Sequence, residues 1–288
     1  MDKIPFDTIE EYLDNKDTFK NPAFTERAFK KAQEKLVIDE IDMKDFVESR
    51  DVPKDEEYVQ KLEKIFEQED SPQEKENKKL ATIEEAILHI QIEQNCYLGD
   101  DVKAFSACKL DDIKNGVDEI LEIKYDDGKN VRHIAIAVDA TFSVNAREKV
   151  ENIKEGIKRG KLAVVEYLKF DVSDTEIEKK ELPKFILGID KKNLEDITRL
   201  WMKDKNKKLY YHPLHIMVLN EILQQAKYYQ DCAEEAGQME ISEKYKELYD
   251  IFLQVREEKE ELIKEILKNP ENEEKMEEDM VYQSIIQL

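Results

Sequence analysis

The stretch Gly116–Thr141 reads GVDEILEIKYDDGKNVRHIAIAVDAT. Two apolar runs flank DDGKN, residues 126–130, a turn signal of the kind that closes a β-hairpin. Successive side chains on a strand point to opposite faces. In the second run His133, Ala135, Ala137, Asp139 and Thr141 share one face, and Ile134, Ile136, Val138, Ala140 and Phe142 share the other. In the first run Asp118, Ile120 and Glu122 share a face opposed to that of Val117, Glu119, Leu121 and Ile123. With the turn centred near Gly128, Asp118 falls close to opposite Asp139. Aspartate is depleted from strands and costly to bury as a charge. Adjacent carboxylates repel unless a cation sits between them or one holds a proton. Mg²⁺ takes oxygen ligands of this kind and keeps several waters. A metal so held activates water and stabilises a phosphoryl transition state.

Helical patterns surround this hairpin. Phe24, Ala28, Ala32 and Leu36 recur at helical spacing, as do Val59, Leu62, Ile65 and Phe66. The polar EDSPQEKENKK, residues 69–79, reads as a linker. Thr82 and Glu85 have capping-box spacing, which predicts a helix start at Thr82 with Ile83, Ala86, Ile87 and Ile90 inward. A helix is expected from about Asn145 to Arg159, a third strand at 161–170 and a fourth at 184–190. Ile216, Leu219, Leu223 and Ala226 form a stripe on a further helix after Pro213. Ile241, Tyr245, Leu248, Phe252, Val255, Leu262 and Ile266 form a heptad-like seam, and the two helices meet near Gly237 as a helical hairpin.

A helix, a strand bearing Asp, an antiparallel strand ending in Asp, then a helix and a strand resembles the PD-(D/E)XK nuclease superfamily, over roughly residues 79–170. The resemblance implies an α/β fold: a small mixed sheet with an α-β-β-β-α-β restriction-endonuclease-like core, flanked by N- and C-terminal helices. It implies that Asp118 and Asp139 bind Mg²⁺, with Mn²⁺ as a substitute, and that the Ala140 carbonyl completes the site. The family's lysine two residues after the second acid is here Thr141. Some members carry that lysine on the following helix, which makes Lys149 and Lys154 candidates for orienting the water or stabilising the transition state. The family often adds an acid from the first core helix. Glu93 fits, being on the side of Ile90 and Ala86. On this reading the chain comprises an acidic helical region at 1–70, a linker at 71–79, a nuclease-like α/β core at 80–212, a helical hairpin at 213–268 and an acidic flexible tail at 269–288.

Composition constrains the function. The 288 residues carry a formal net charge of −22, which opposes contact with nucleic acid or anionic membrane if evenly spread. It is not evenly spread. Residues 142–170 hold seven Lys or Arg against four Glu, a net +3, whereas 257–279 hold eleven acids against four lysines, a net −7. LWMKDKNKKLYYH, residues 200–212, interleaves lysines with Trp201, Tyr210 and Tyr211, a pattern suited to stacking on single-stranded nucleic acid or simply to a solvated loop over packed aromatics. An acidic tail that shields a basic groove would release it on truncation. The three cysteines form no CxxC, the N-terminus lacks an apolar secretory core, and no run is long enough to span a membrane, so a cytoplasmic setting is expected. Phosphate-binding, dinucleotide, α/β-hydrolase and zincin signatures are absent.

Other residues read as structural. His212 and His215 flank Pro213 with no third ligand nearby, so capping or packing accounts for them. His89 and His133 are single. Asp111 and Asp112 suit a turn or short helix, with Asp112 a spare metal candidate through its nearness to Asp118. The expected activity is Mg²⁺-dependent phosphodiester hydrolysis. The alternative is a catalytically inactive acidic scaffold with a degenerate nuclease-like core, binding a protein partner or a second copy through the 241–266 seam. Thr141 and the net charge favour that alternative, and the paired aspartates favour the first.

Overall fold

A computed structural model describes residues 17–48, 50–126, 128, 131–142, 145–168 and 177–288. The acidic N-terminus through residue 16 and most of the DDGKN turn lie outside the described residues. Along the chain, helices α1 (Pro22–Leu36), α2 (Val52–Glu69) and α3 (Pro72–Asn95) precede strand β1 (Val102–Ser106), helix α4 (Lys109–Asn115) and strands β2 (Glu119–Asp126) and β3 (Val131–Thr141). Helix α5 (Ala146–Lys158) leads to β4 (Ala163–Leu168), β5 (Ile177–Leu182) and β6 (Lys184–Gly188). Helices α6 (Lys191–Met202), α7 (Asn206–Tyr210), α8 (Leu214–Glu235), α9 (Met239–Glu258), α10 (Glu260–Leu267), α11 (Pro270–Glu278) and α12 (Met280–Ile286) complete the chain.

The fold is mixed α/β. One sheet runs β1-β2-β3-β6, and among the described residues β4 pairs with β5 in a separate two-stranded sheet. β1, β2 and β3 are antiparallel, and β6 lies parallel to β3. The third strand of the main sheet is therefore β1, not the expected 161–170 run. β1 went unread because VKAFS is short and lies between helices. Both faces of the sheet are covered. Leu121, Ile123, Ile136, Val138 and Ala140 join the large core built with α3, α5, α8, α9 and α12. On the opposite face Ile120, Ala135 and Ala137 pack with Phe46, Val52, Val165 and Tyr167. The alanines of the 133–141 face are small because a second layer, not water, lies against them.

Three expectations about organisation are overturned. Residues 72–79 are not a linker but the first turns of α3, whose capping box is Ser71 with Glu74, not Thr82 with Glu85. Ser71 accepts from the Glu74 amide, Glu74 from the Ser71 amide, and Pro72 stands at a first-turn position where its missing N–H costs nothing. Thr82 instead bonds back to the Lys78 carbonyl. The acidic tail is folded: Asp279 caps α12, and Val281, Tyr282 and Ile285 are buried in the large core. Finally, the 241–266 seam is not a free surface. Ile241, Tyr245, Leu248 and Phe252 are buried in the chain's own core, where Tyr245 meets Phe185 and Tyr229. A stripe at spacings of three and four is satisfied equally well by an intramolecular partner, here the other arm of the α8–α9 hairpin.

Candidate functional site

Helix α4 ends at Gly116, whose φ of +60° turns the chain sharply into the main sheet. Val117 is fully buried and anchors the entry to β2. The ladder sets Glu119 opposite Val138, so the next pair outward is Asp118 and Asp139. The backbone confirms the alignment locally. The Asp118 amide donates to the Val138 carbonyl at 2.9 Å, and the Ala140 amide donates to Asp118 Oδ2 at 2.7 Å. The expected juxtaposition of the two aspartates is thus present.

Asp139 is 8% exposed and meets two lysines. Lys149, in the first turn of α5, donates to Oδ1 at 2.6 Å. Lys184, the first residue of β6, lies 3.0 Å from Oδ2 and also donates to the Gly116 carbonyl. Lys184 thereby ties the segment entering Asp118 to the strand carrying Asp139. Sequence reading missed it because parallel pairing of β3 with β6 joins residues far apart in the chain.

The α3 acid that stands in the same cleft as Asp118 is Glu85, and Glu93 lies away from it. Glu93 is exposed and accepts from the Ala104 amide on the edge strand β1. Glu85 lines a cleft of about 190 Å³ with Asp112, Asp118 and Glu40, beside an apolar wall that includes Phe29 and Val37. On the other side of Asp139, a cleft of about 300 Å³ is lined by Lys149, Lys161, Lys184, Asn115 and Asn152. The first cleft thus sets four carboxylates against Lys109, which pairs with Asp112 at 3.1 Å, and the second sets three lysines against Asp139.

This crowding shifts protonation. Burial, then the charges of Glu85, Asp139 and Asp112, push the Asp118 carboxyl well above the usual carboxylate range, against the Ala140 hydrogen bond. Burial and Asp112 raise Glu85 to about 7, with Lys109 opposing. Burial would lower Lys149, but Asp139 outweighs it and holds the ammonium more strongly protonated. Glu84, next to Glu85 on a helix buried nearly all round, has neither oxygen hydrogen-bonded, and burial pushes its carboxyl far up. Glu119 is likewise buried with neither oxygen hydrogen-bonded, 3.6 Å from His89.

The remaining candidates lie elsewhere. Lys154 bonds Glu151 at 2.9 Å and the Tyr228 hydroxyl at 2.7 Å, on the side of α5 facing α8. Its ion pair follows from the turn of the helix, which separates it from Lys149. Asp111 is structural, accepting from the Glu166 and Tyr167 amides and from Asn115. His212 Nδ1 accepts from the Leu214 amide, and His215 stacks on Tyr97 at 4.1 Å. His133 pairs with Glu122 at 2.6 Å.

Among the described residues no group of three or more His, Cys, Asp or Glu side chains is arranged to hold a metal by itself. The donor set still suits a hard cation in one respect. Mg²⁺ sites commonly use one or two carboxylates and fill the remainder with water and substrate phosphate, and a cation here would offset the burial and the carboxylate repulsion that together raise Asp118. Among the described residues no helix is long and apolar enough to cross a membrane. Comparison with family models, curated proteins and solved structures finds no match for this chain.

Proposed function

We propose that the chain is a divalent-metal-dependent phosphodiesterase of the PD-(D/E)XK kind, acting on nucleic acid. The observation that carries the reading is the pairing of Asp118 and Asp139 across adjacent strands, beside one cleft lined by four carboxylates and Lys109 and another lined by three lysines and Asp139. The element order supports it. α3, β1, β2, β3, α5 and β6, with β6 parallel beside β3, are compatible with α-β-β-β-α-β if both helix α4, between β1 and β2, and the β4–β5 pair are taken as insertions.

Asp118 and Asp139 would hold Mg²⁺ or Mn²⁺, with water filling the remaining positions, and the metal would supply Lewis acidity and an activated water; Glu85 lies in the cleft beside Asp118. Lys149 stands where it can turn from Asp139 toward a phosphate oxygen in the lysine-lined cleft, taking the part that Thr141 leaves open. Lys184 holds the two aspartate-bearing segments together, and Asn115 and Asn152 offer neutral donors to a phosphodiester.

One observation favours a non-catalytic scaffold instead. Both Asp139 oxygens are already ion-paired, and the residue two positions on is the buried Thr141. The two readings separate in one experiment. Thermal melting of wild type and Asp118→Asn/Asp139→Asn is compared in EDTA, Mg²⁺ and Mn²⁺, alongside cleavage of labelled single- and double-stranded DNA and RNA. The nuclease reading expects metal to raise the melting temperature of wild type alone and Asp139→Ala to lose cleavage while staying folded. A wild type that neither responds to metal nor cleaves any substrate returns the chain to the scaffold reading.

A further inference from the structure

The lysine-rich run 200–212 contributes nothing to the carboxylate–lysine site. It forms part of a separate cleft of about 530 Å³ between α6–α7 and α10–α11. Trp201 is core, with Lys31 over its ring at 4.7 Å. Tyr211, by contrast, is half-buried and lines the cleft beside Lys207 and Lys208. Those two lysines are exposed and make no ion pair among the described residues.

The acids that face the cleft are already compensated. Asp196 pairs with Lys275 and, at 3.2 Å, with Arg199, and Glu265 pairs with Lys268 at 2.5 Å. Lys207 and Lys208 therefore leave a net positive charge. His212 is 3% exposed and lines the same cleft. Its Nδ1 accepts from the Leu214 amide, which places the proton of the neutral ring on Nε2. Among the described residues that Nε2 has no acceptor within hydrogen-bond distance, and a carboxylate oxygen of Asp196 stands 3.7 Å away, a long and weak contact. A buried donor without a partner costs stability unless something supplies an acceptor.

We infer that this cleft binds the phosphate of a nucleotide, with Lys207, Lys208 and the His212 Nε2–H meeting the phosphate oxygens and the Tyr211 ring stacking on the base. Cations alone would suit any anion. The aromatic face next to them selects a phosphate that carries a planar ring, and the volume lies in the range of small-ligand sites. The nucleotide can be free or the end of a strand, since both present the same two groups.

Calorimetric titration of the full chain tests this, in EDTA at low salt so that the carboxylate site holds no cation. The probes are AMP, inorganic phosphate and a 5′-phosphorylated thymidine hexamer. Wild type should bind AMP about tenfold more tightly than inorganic phosphate, a difference that base stacking can supply. Lys207→Ala/Lys208→Ala should weaken AMP at least tenfold without moving the melting temperature, because both side chains are exposed. Tyr211→Leu should reduce AMP to the affinity of inorganic phosphate. Tighter binding of the hexamer than of AMP, lost in the double-lysine variant, assigns the site to strands; binding of AMP alone assigns it to free nucleotide. No heat from either nucleotide probe with wild type, or AMP binding unchanged in the double-lysine variant, overturns the inference. Neither outcome depends on whether Asp118 and Asp139 hold a metal.

Discussion

Replacing Glu85 with Gln should stabilise the protein above neutral pH and leave it nearly unchanged in mild acid. Burial and Asp112 raise this carboxyl from 4.5 to about 7. At about 1.4 kcal/mol per pH unit, the folded state then holds the proton more tightly than the unfolded chain by roughly 3 kcal/mol. Glu85 is half-buried, and solvent screening reduces the effect to about 2 kcal/mol. The sign follows from proton linkage. The group's contribution is full below pH 4.5, where folded and unfolded chains are both protonated. It is lost as pH rises through 7, because the unfolded chain releases the proton first. Urea denaturation of wild type and Glu85→Gln, in EDTA at half-unit steps from pH 4.5 to 8.5, reads this directly. The curves should coincide at the acid end and separate by about 2 kcal/mol in favour of the variant above pH 7.5. Parallel curves over the whole range would refute the claim that Glu85 is crowded by its acidic neighbours, and with it the reason for placing a cation there.

Two further outcomes follow from the packing around the site. Lys184→Met should lower stability by about 1–3 kcal/mol, because the Gly116 carbonyl loses its donor while Asp139 keeps Lys149; an unchanged urea midpoint would show that Lys184 ties nothing together. Gly188→Ala should cost about 1–3 kcal/mol and make α12 sensitive to protease, since the added Cβ would stand 2.5 Å from Val281 Cγ1 and 2.8 Å from the Thr141 carbonyl oxygen; limited proteolysis with wild-type kinetics would count against the close docking of α12 on β6.

What the sequence reveals depends on how local the determining contact is. The hairpin register was readable because a single turn fixes it: alternation on both sides of Gly128 leaves Asp118 and Asp139 opposed. The α8–α9 hairpin was readable for the same reason, around Gly237. The start of α3 was present in the letters but misplaced. Ser71-Pro72-Gln73-Glu74 is itself a capping box with a first-turn proline, and its polar neighbours disguised it as a linker. Lys184 had no local signal, because only the parallel β3–β6 pairing brings it to Asp139. The capping-box spacing of Thr82 and Glu85 accounts for Glu85 without chemistry, but the helix is capped at Ser71 and Glu74, which leaves Glu85 a mid-helix acid in the cleft beside Asp118. Glu85 and Glu93 both lie on α3, and the face toward Asp118 is set by the sheet and not by an apolar stripe, because the helix is buried nearly all round between Leu80 and Ile92, Glu84, His89 and Gln91 included. The acidic tail was judged by composition, whereas Val281, Tyr282 and Ile285, spaced one and three apart, already marked a buried face.

Two aspartates only seven residues apart show why the site is read as chemistry and not as architecture. Asp111 is fully buried, yet its oxygens accept from two backbone amides of β4, from Asn115 and from Cys108. It joins α4 to β4, and that role explains its presence. Asp118 accepts one backbone amide, and burial first, then the carboxylates of Glu85, Asp139 and Asp112, make its charge costly. An architectural role would be served better by Asn, which keeps the acceptor for Ala140 and removes the repulsion. Carboxylates retained in a cleft at such a cost are characteristic of functional sites. The lysines supply the complement. With Lys149 and Lys184 on Asp139 and Lys161 across the same cleft, a chain of net charge −22 still carries a locally cationic surface beside Asp118 and its acidic neighbours, where the proposed phosphodiester substrate would meet it.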